Sequence, residues 1–210
     1  MSLKRSDRIE SPYVNVPQQK RSREKFLAIV QQAKRLFSEK GVQQTSIQDI
    51  AEAAGISVGI VYQRFNNKES LLLYLFEEVK LEISQFAPFN TSTPQETLET
   101  AVDLVCRTYA ENQAYFKALL VESHQFSPLL EQVAEAVELG IQLLARSLES
   151  NGIKAKKARK IAAFTLRQIM AMNDQLLIFG DLIPGKDIRT FNALVTELKV
   201  SVLAYAEAVR

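Results

Sequence analysis

The sequence predicts an all-α protein of about nine helices. Three observations point there. Apolar residues recur at three- and four-residue spacing over most of the 210 residues. No stretch alternates polar and apolar residues as a half-buried strand does. With 7 Gly and 6 Pro, the chain is short of the turn residues that a sandwich or barrel needs. At 47% hydrophobic and 24% charged it has the composition of a globular protein able to bury a core.

Residues 1–20 are polar, contain Pro12 and Pro17 and show no sustained period. They are expected to form a disordered basic arm, with the boundary of the folded part at residue 22. From Arg23, the residues Phe26, Ile29, Val30, Ala33, Leu36 and Phe37 make one apolar stripe, and Gly41 can end that helix in a left-handed cap. Thr45-Ser46-Ile47-Gln48 has the form of a capping box with Thr45 as the cap. It opens a short helix with Ile47, Ile50, Ala51 and Ala54 on its apolar face. Gly55 suits the positive φ of a tight interhelical turn, and Ser57 caps a third helix, Val58–Phe65, with Val61 and Phe65 four apart and inward. Asn67 caps a fourth helix, Lys68–Gln85, carrying Leu71, Leu72, Leu75, Phe76 and Val79.

After a break around Pro88, Thr93-Pro94-Gln95-Glu96 combines a cap, Pro at the first helical position and Glu at the third. The helix it starts runs to about Glu111 through Leu98, Val102, Val105 and Tyr109, and Ala114–Glu122 follows as a shorter one. Ser127-Pro128 opens a long helix with Leu130, Val133, Val137, Ile141, Leu144 and Leu148 on one stripe, closed by Asn151-Gly152. Two more long helices, about Lys156–Phe179 and Asp187–Val209, flank a loop with Pro184-Gly185.

Charge is unevenly spread. Residues 1–68 hold 12 Lys/Arg and 6 Asp/Glu, while residues 69–210 hold 14 and 18, so a formal net charge of +2 conceals a basic first third. Such asymmetry hints at a nucleic-acid partner at the basic end. One cysteine, Cys106, and one histidine, His124, leave no disulfide framework and no metal-ligand cluster. Neither a phosphate-cradling glycine loop nor a catalytic constellation is present, so an enzyme and a cofactor are not expected. No apolar run reaches the roughly 18 residues of a membrane span, and the basic start is not followed by an apolar stretch. A cytoplasmic location is the expectation.

Three short helices with a glycine-centred turn between the second and third form a helix-turn-helix unit, whose third helix is suited to a DNA major groove. The run from Thr45 to Tyr62 (TSIQDIAEAAGISVGIVY), followed by Phe65-Asn66-Asn67-Lys68-Glu69-Ser70-Leu71, closely resembles the TetR family of bacterial transcriptional regulators. With the upstream Ala33, Leu36-Phe37 and Gly41, the resemblance covers about residues 23–75. It implies a DNA-binding domain at 23–68 and a connecting helix leading into a helical ligand-binding and dimerisation domain at 69–210.

Residue chemistry suggests roles. Thr45 and Ser46, at a helix start, can hold a DNA phosphate by N–H and hydroxyl together, although capping alone would also account for them. On the third helix Ser57, Val58, Gly59, Ile60, Tyr62, Gln63 and Arg64 are left for the groove. Gln63 and Arg64 have base-reading chemistry, Val58 and Ile60 can pack on thymine methyls, and Gly59 allows close approach. The resemblance implies phosphate contacts for Tyr62 and Lys68. Lys20, Arg21, Arg23 and Lys25, at the end of the arm, can reach the backbone or an adjacent minor groove, or serve solubility only.

A single recognition helix buries too little surface for tight specific binding, so pairing over two half-sites is expected. The last two long helices are apolar on more than one face, and the resemblance implies that they form a homodimer interface. Tyr109, Phe116, His124, Phe126, Phe164, Met170 and Asn173 are candidate lining residues for a largely apolar small-molecule effector, although each taken alone fits plain core better. The implied function is a ligand-responsive regulator, a repressor released from a palindromic operator. The competing reading is an architectural DNA-binding protein of the same fold without small-molecule control.

Overall fold

The computed structural model describes residues 11–84, 89–179 and 191–209, and every regular element among them is a helix. The chain divides into two compact units. One gathers the chain up to Val79 with Val121–Gln132; the other comprises Lys80–Leu120 and Val133–Arg210.

In the first unit, α1 (Lys20–Lys40) buries Phe26, Ile29, Val30, Ala33, Leu36 and Phe37, the stripe read from the sequence. Gly41 ends it at φ 83°, its N–H bonded to the Phe37 carbonyl at 3.0 Å. The short helices α2 (Ile47–Ala53) and α3 (Val58–Tyr62) are joined through Gly55 at φ 65°, a conformation that carries no steric cost only for glycine. The helical turns of α3 stop at Tyr62, three residues short of the expected end, yet Val61 and Phe65 are both fully buried. Asn67 does cap α4 (Lys68–Ser84), its Oδ1 accepting from the Ser70 N–H at 2.8 Å. From Leu71 to Phe76 every residue of α4 is buried, so the helix is enclosed on all sides there. Phe26, Phe65 and Tyr74 meet with ring centroids 5.4–5.7 Å apart, tying α1, the end of the turn after α3, and α4 into one core.

The second unit is built from α5 (Pro94–Glu111), α6 (Gln113–Ser123), α7 (Ser127–Ser150), α8 (Ala155–Phe179) and α9 (Phe191–Ala208), of which α6 and α7 also supply the 121–132 stretch of the first. Its core interleaves one stripe from each of four helices: Leu98, Val102 and Cys106; Ile141, Leu144 and Leu148; Ala158, Ile161 and Ile169; Leu194, Leu198 and Val202. Thr93 caps α5 as expected, accepting from the Glu96 N–H at 3.1 Å. A polar knot closes one end of this core. Asn151 Nδ2 donates to Thr97 Oγ1 at 2.9 Å and to Thr91 Oγ1 at 3.2 Å, fastening the turn before α5 to the end of α7.

Two expectations change. The first 22 residues are not uniformly a free arm: α1 already starts at Lys20, and Pro17 is buried. Periodicity could not reveal this, because an extended segment held by single contacts has no stripe. Leu130 is half exposed while its neighbour Leu129 is fully buried, because the start of α7 belongs to the first unit and turns a different face inward from the rest of the helix. The expected start of the last helix at Asp187 lies outside the described residues, as does the expected end of the fourth at Gln85.

Candidate nucleic-acid interface

The N-terminus of α2 is capped by Ser46, not by Thr45. Ser46 Oγ accepts from the Asp49 N–H at 3.1 Å, and Asp49 Oδ2 accepts from the Ser46 N–H at 2.8 Å and the Ser46 hydroxyl at 2.7 Å. The capping box is therefore Ser46/Asp49, one residue on from the expected Thr45/Gln48. Thr45 is 1% exposed, and its hydroxyl donates to the Gly41 carbonyl at 2.8 Å. That bond stitches α2 to the end of α1 and leaves Thr45 no hydroxyl to offer a phosphate. Two residues with cap chemistry stood side by side, and burial decided between them. Hydrogen bonds from Ser46, side chain first and then backbone, hold the Asp49 carboxyl below its ordinary range, so this helix start already carries an anion of its own.

α3 is where side chains remain free. Ser57 precedes it as the N-cap residue, exposed and making no side-chain cap bond. Gly59 is exposed, with open space where a Cβ would stand, so nothing inside the protein demands glycine there. Tyr62 is 51% exposed, an unusual position for an aromatic ring in a folded unit, and Gln63 is exposed beside it. Val58 and Ile60 are half-buried, while Val61 and Phe65 anchor the helix from below.

Arg64 departs from its expected place in the groove. Its guanidinium donates to the Asn15 carbonyl at 3.1 Å and to Ser22 Oγ at 2.6 Å, and its own carbonyl accepts from the Asn15 N–H at 2.9 Å. Arg23 Nε in turn donates to the Pro17 carbonyl at 3.3 Å. Nothing in sequence spacing joins residues 15 and 64. Lys68 is half-buried, its ammonium donating to the Val42 carbonyl at 2.8 Å, which bridges the start of α4 to the turn after α1 and leaves two further N–H donors.

The candidate effector residues are dispersed. In the second unit Tyr109 and Phe116 stack at 4.4 Å between centroids, and the Tyr109 hydroxyl donates to Asp174 Oδ1 at 3.4 Å. Burial, and then the charge of Asp174, push this phenol well above its ordinary range. Asn173 is buried and donates to the Ile169 carbonyl at 2.8 Å and to Cys106 Sγ at 3.6 Å. Phe164 stacks on Tyr205 at 3.8 Å, joining α8 to α9, and Met170 is half-buried. His124 and Phe126 fall in the first unit instead, in the turn between α6 and α7. His124 is exposed there, where it had been expected inside a bundle; a helix–helix turn needs no buried side chain at that position. Among the described residues no three His, Cys, Asp or Glu side chains are grouped to hold a metal ion, and no helix is long and apolar enough to cross a membrane.

Residues 29–75 match the family model described as bacterial regulatory proteins, tetR family. The fatty acid metabolism regulator protein of Bacillus subtilis is 37% identical over 59 residues, 28% of this chain and 30% of that protein. The HTH-type transcriptional regulator TtgR of Pseudomonas putida is 41% identical over 51 residues, 24% of each chain. The matched stretch thus spans about a third or less of these relatives. The fold likeness is much wider. The fatty acid degradation regulator FadR of Bacillus halodurans superimposes with a TM-score of 0.67 over 90% of this chain and 97% of that one, at 18% identity.

Proposed function

We propose, from the match of residues 29–75 to the tetR-family model, that the chain is a homodimeric repressor that leaves a palindromic operator when a small molecule binds. One observation carries the reading: α3 presents Ser57, Gly59, Tyr62 and Gln63 to solvent while Val61 and Phe65 fix it to the core beneath. A five-residue helix held this firmly has no evident use for an exposed tyrosine and glutamine unless a partner covers them.

On this reading Gln63 reads a base edge in the major groove, bidentate to adenine, with Val58 and Ile60 against thymine methyls. Tyr62, Ser57 and Lys68 hold phosphates, and Ser46 can do so only by giving up its bond to Asp49. The reader is residues 23–68, and the sensing and pairing body is residues 69–210. Pairing goes through α8 and α9, whose inner stripes are buried while Phe164, Leu166, Met172 and Leu176 stay half-buried, and Ile178 and Val200 are exposed. The effector site is centred on the Tyr109–Phe116 stack and Asn173, where an apolar ligand would meet aromatic rings and a few polar groups. The ligand acts by binding one state of the dimer better than the other.

The test is to incubate the purified chain with fragments of its own genome and sequence what it retains. A regulator enriches a few sites with two half-sites related by a dyad, and its affinity falls steeply with salt. Retention of all fragments alike, together with an affinity that no bound small molecule alters, would favour the architectural reading.

A further inference from the structure

The first unit buries a charge that its packing does not require. Glu122, at the end of α6, is 5% exposed, and Ser123 and Gln132 are as deeply buried in the same 121–132 stretch. Gln132 Oε1 meets no donor among the described residues. A stretch whose task was to fill space would be apolar, because burying a polar group costs free energy and burying a charge costs more. Among the described residues the Glu122 carboxylate has one hydrogen bond and no ion pair. Gln43 Nε2 donates to its Oε2 at 2.9 Å, across 79 positions of sequence.

We propose that Glu122 is a positioning residue of the DNA reader, holding the turn between α1 and α2 through Gln43 and so setting the pose of α3 in the groove. The proposal rests on the DNA-binding reading. Gln43 stands in that turn, three residues before Ser46, the cap of α2. The same turn is gripped by Lys68, whose ammonium reaches the Val42 carbonyl, and closed by the bond from Thr45 to Gly41. Beyond it, α2 and α3 are fastened to each other. The Gly55 N–H donates to the Glu52 carbonyl and the Ile56 N–H to the Ala51 carbonyl, both at 3.0 Å. Whatever tilts the turn therefore carries α3 with it, and Tyr62 and Gln63 move too. Gln43 is exposed, so its amide would turn to water unless an acceptor fixed it, and burial fixes the Glu122 carboxylate. An ionised acceptor makes this bond stronger than one between two amides. A base-edge bond weakens steeply once its length or angle is wrong, whereas attraction to phosphates tolerates a small shift. The pose that Glu122 sets thus governs discrimination more than bare affinity. The reader extends past residue 68 to a side chain on α6 that is too buried to meet DNA itself.

The experiment measures binding of the full chain to the retained operator and to a random duplex over a range of salt. The variants are Gln43→Ala, Gln43→Glu, Glu122→Gln, and the exchange Gln43→Glu/Glu122→Gln. Gln43→Ala removes the donor, and Gln43→Glu sets two carboxylates face to face. Each should weaken operator binding by about tenfold and random binding much less. The salt slope should stay at the parent value, since no phosphate contact is lost. Glu122→Gln keeps an acceptor for the Gln43 amide and should stay within about twofold of the parent. The exchange re-forms the bond with donor and acceptor reversed, and it should recover the operator to within about twofold of the parent. It carries the same new carboxylate at position 43 as Gln43→Glu, so recovery cannot come from charge alone. The proposal is overturned if Gln43→Ala binds the operator like the parent, or if the exchange stays as weak as Gln43→Glu. It is also overturned if operator and random DNA lose equally, which would make Gln43 a contact to the DNA backbone. A parent protein that binds no duplex at all overturns the functional reading first. Gln43 is exposed and the exchange conserves side-chain size, so these variants report on the bond even where a truncation of Glu122 would loosen the fold.

Discussion

The two units solve opposite problems with the same kind of helix. The first sets its smallest helix on an aromatic core of Phe26, Phe65 and Tyr74, and its buried polar side chains, Thr45, Ser70, Glu122, Ser123 and Gln132, lie at or near helix ends. The second threads polar groups through its interior, with Asn173 on Cys106 and Tyr109 on Asp174 between long amphipathic helices. Polar bonds at helix ends fix the turns, and so keep an external surface in one geometry. That difference in where the polar bonds lie, at helix ends or between long helices, is the contrast that the proposed division into a reader and a sensor would call for.

The sharpest way to break the comparison is to empty each core. Phe65→Ala should cost about 3–5 kcal/mol and Leu198→Ala about 2–5 kcal/mol. If the units unfold independently, calorimetry will show the first substitution lowering one transition and the second lowering another. A single transition moved equally by both would mean that the units melt as one. Gln63→Ala comes next. It should cost about 1–3 kcal/mol of discrimination between operator and mismatched DNA while shifting stability by less than about 0.5 kcal/mol. A comparable loss on every sequence would remove Gln63 from base reading.

Removing the cap by Ser46→Ala should cost about 1 kcal/mol, read from chemical denaturation. The Asp49 half of the box adds a pH signature. Its folded pKa is depressed, so its contribution is present above the ordinary carboxylate value and fades as the pH falls through the lowered folded value. The parent should lose this increment on acidification, and Ser46→Ala should have little of it to lose. In the second unit, Tyr109→Phe removes only the bond to Asp174 and should cost about 1 kcal/mol, with no effect on DNA affinity in the absence of an effector. The smallest effect has opposite signs in two assays. Gly59→Ala should raise stability by roughly 0.5–1 kcal/mol, since a helical glycine with open space gains from a methyl group, yet weaken DNA binding if the backbone must come close. Equal affinity would mean that α3 stands off from the groove.

How much could be read in advance differed between the units for physical reasons. The stripe of α1, the glycine turn at Gly55 and the pair Val61 and Phe65 were legible because each is a local periodic or steric requirement. The boundaries of α5 were legible because Thr93 and Pro94 act within one helical turn. What escaped depended on residues distant in sequence: Arg64 on Asn15, Lys68 on Val42, and the choice of Ser46 over Thr45, which only burial against Gly41 decides. The effector candidates were least legible, since an aromatic or polar residue on a helix carries no mark of whether it will line a site, stack in a core as Phe164 does on Tyr205, or face water as His124 does.

Cys106 gives these questions a practical handle. It is the sole thiol in the chain, it is fully buried in the core of α5, α7, α8 and α9, and burial pushes it up, further from the reactive thiolate. A thiol reagent can therefore react only when that core opens, and its labelling rate becomes a clock for the second unit alone, with no signal from the first. A compound that slows the clock has closed the unit around itself.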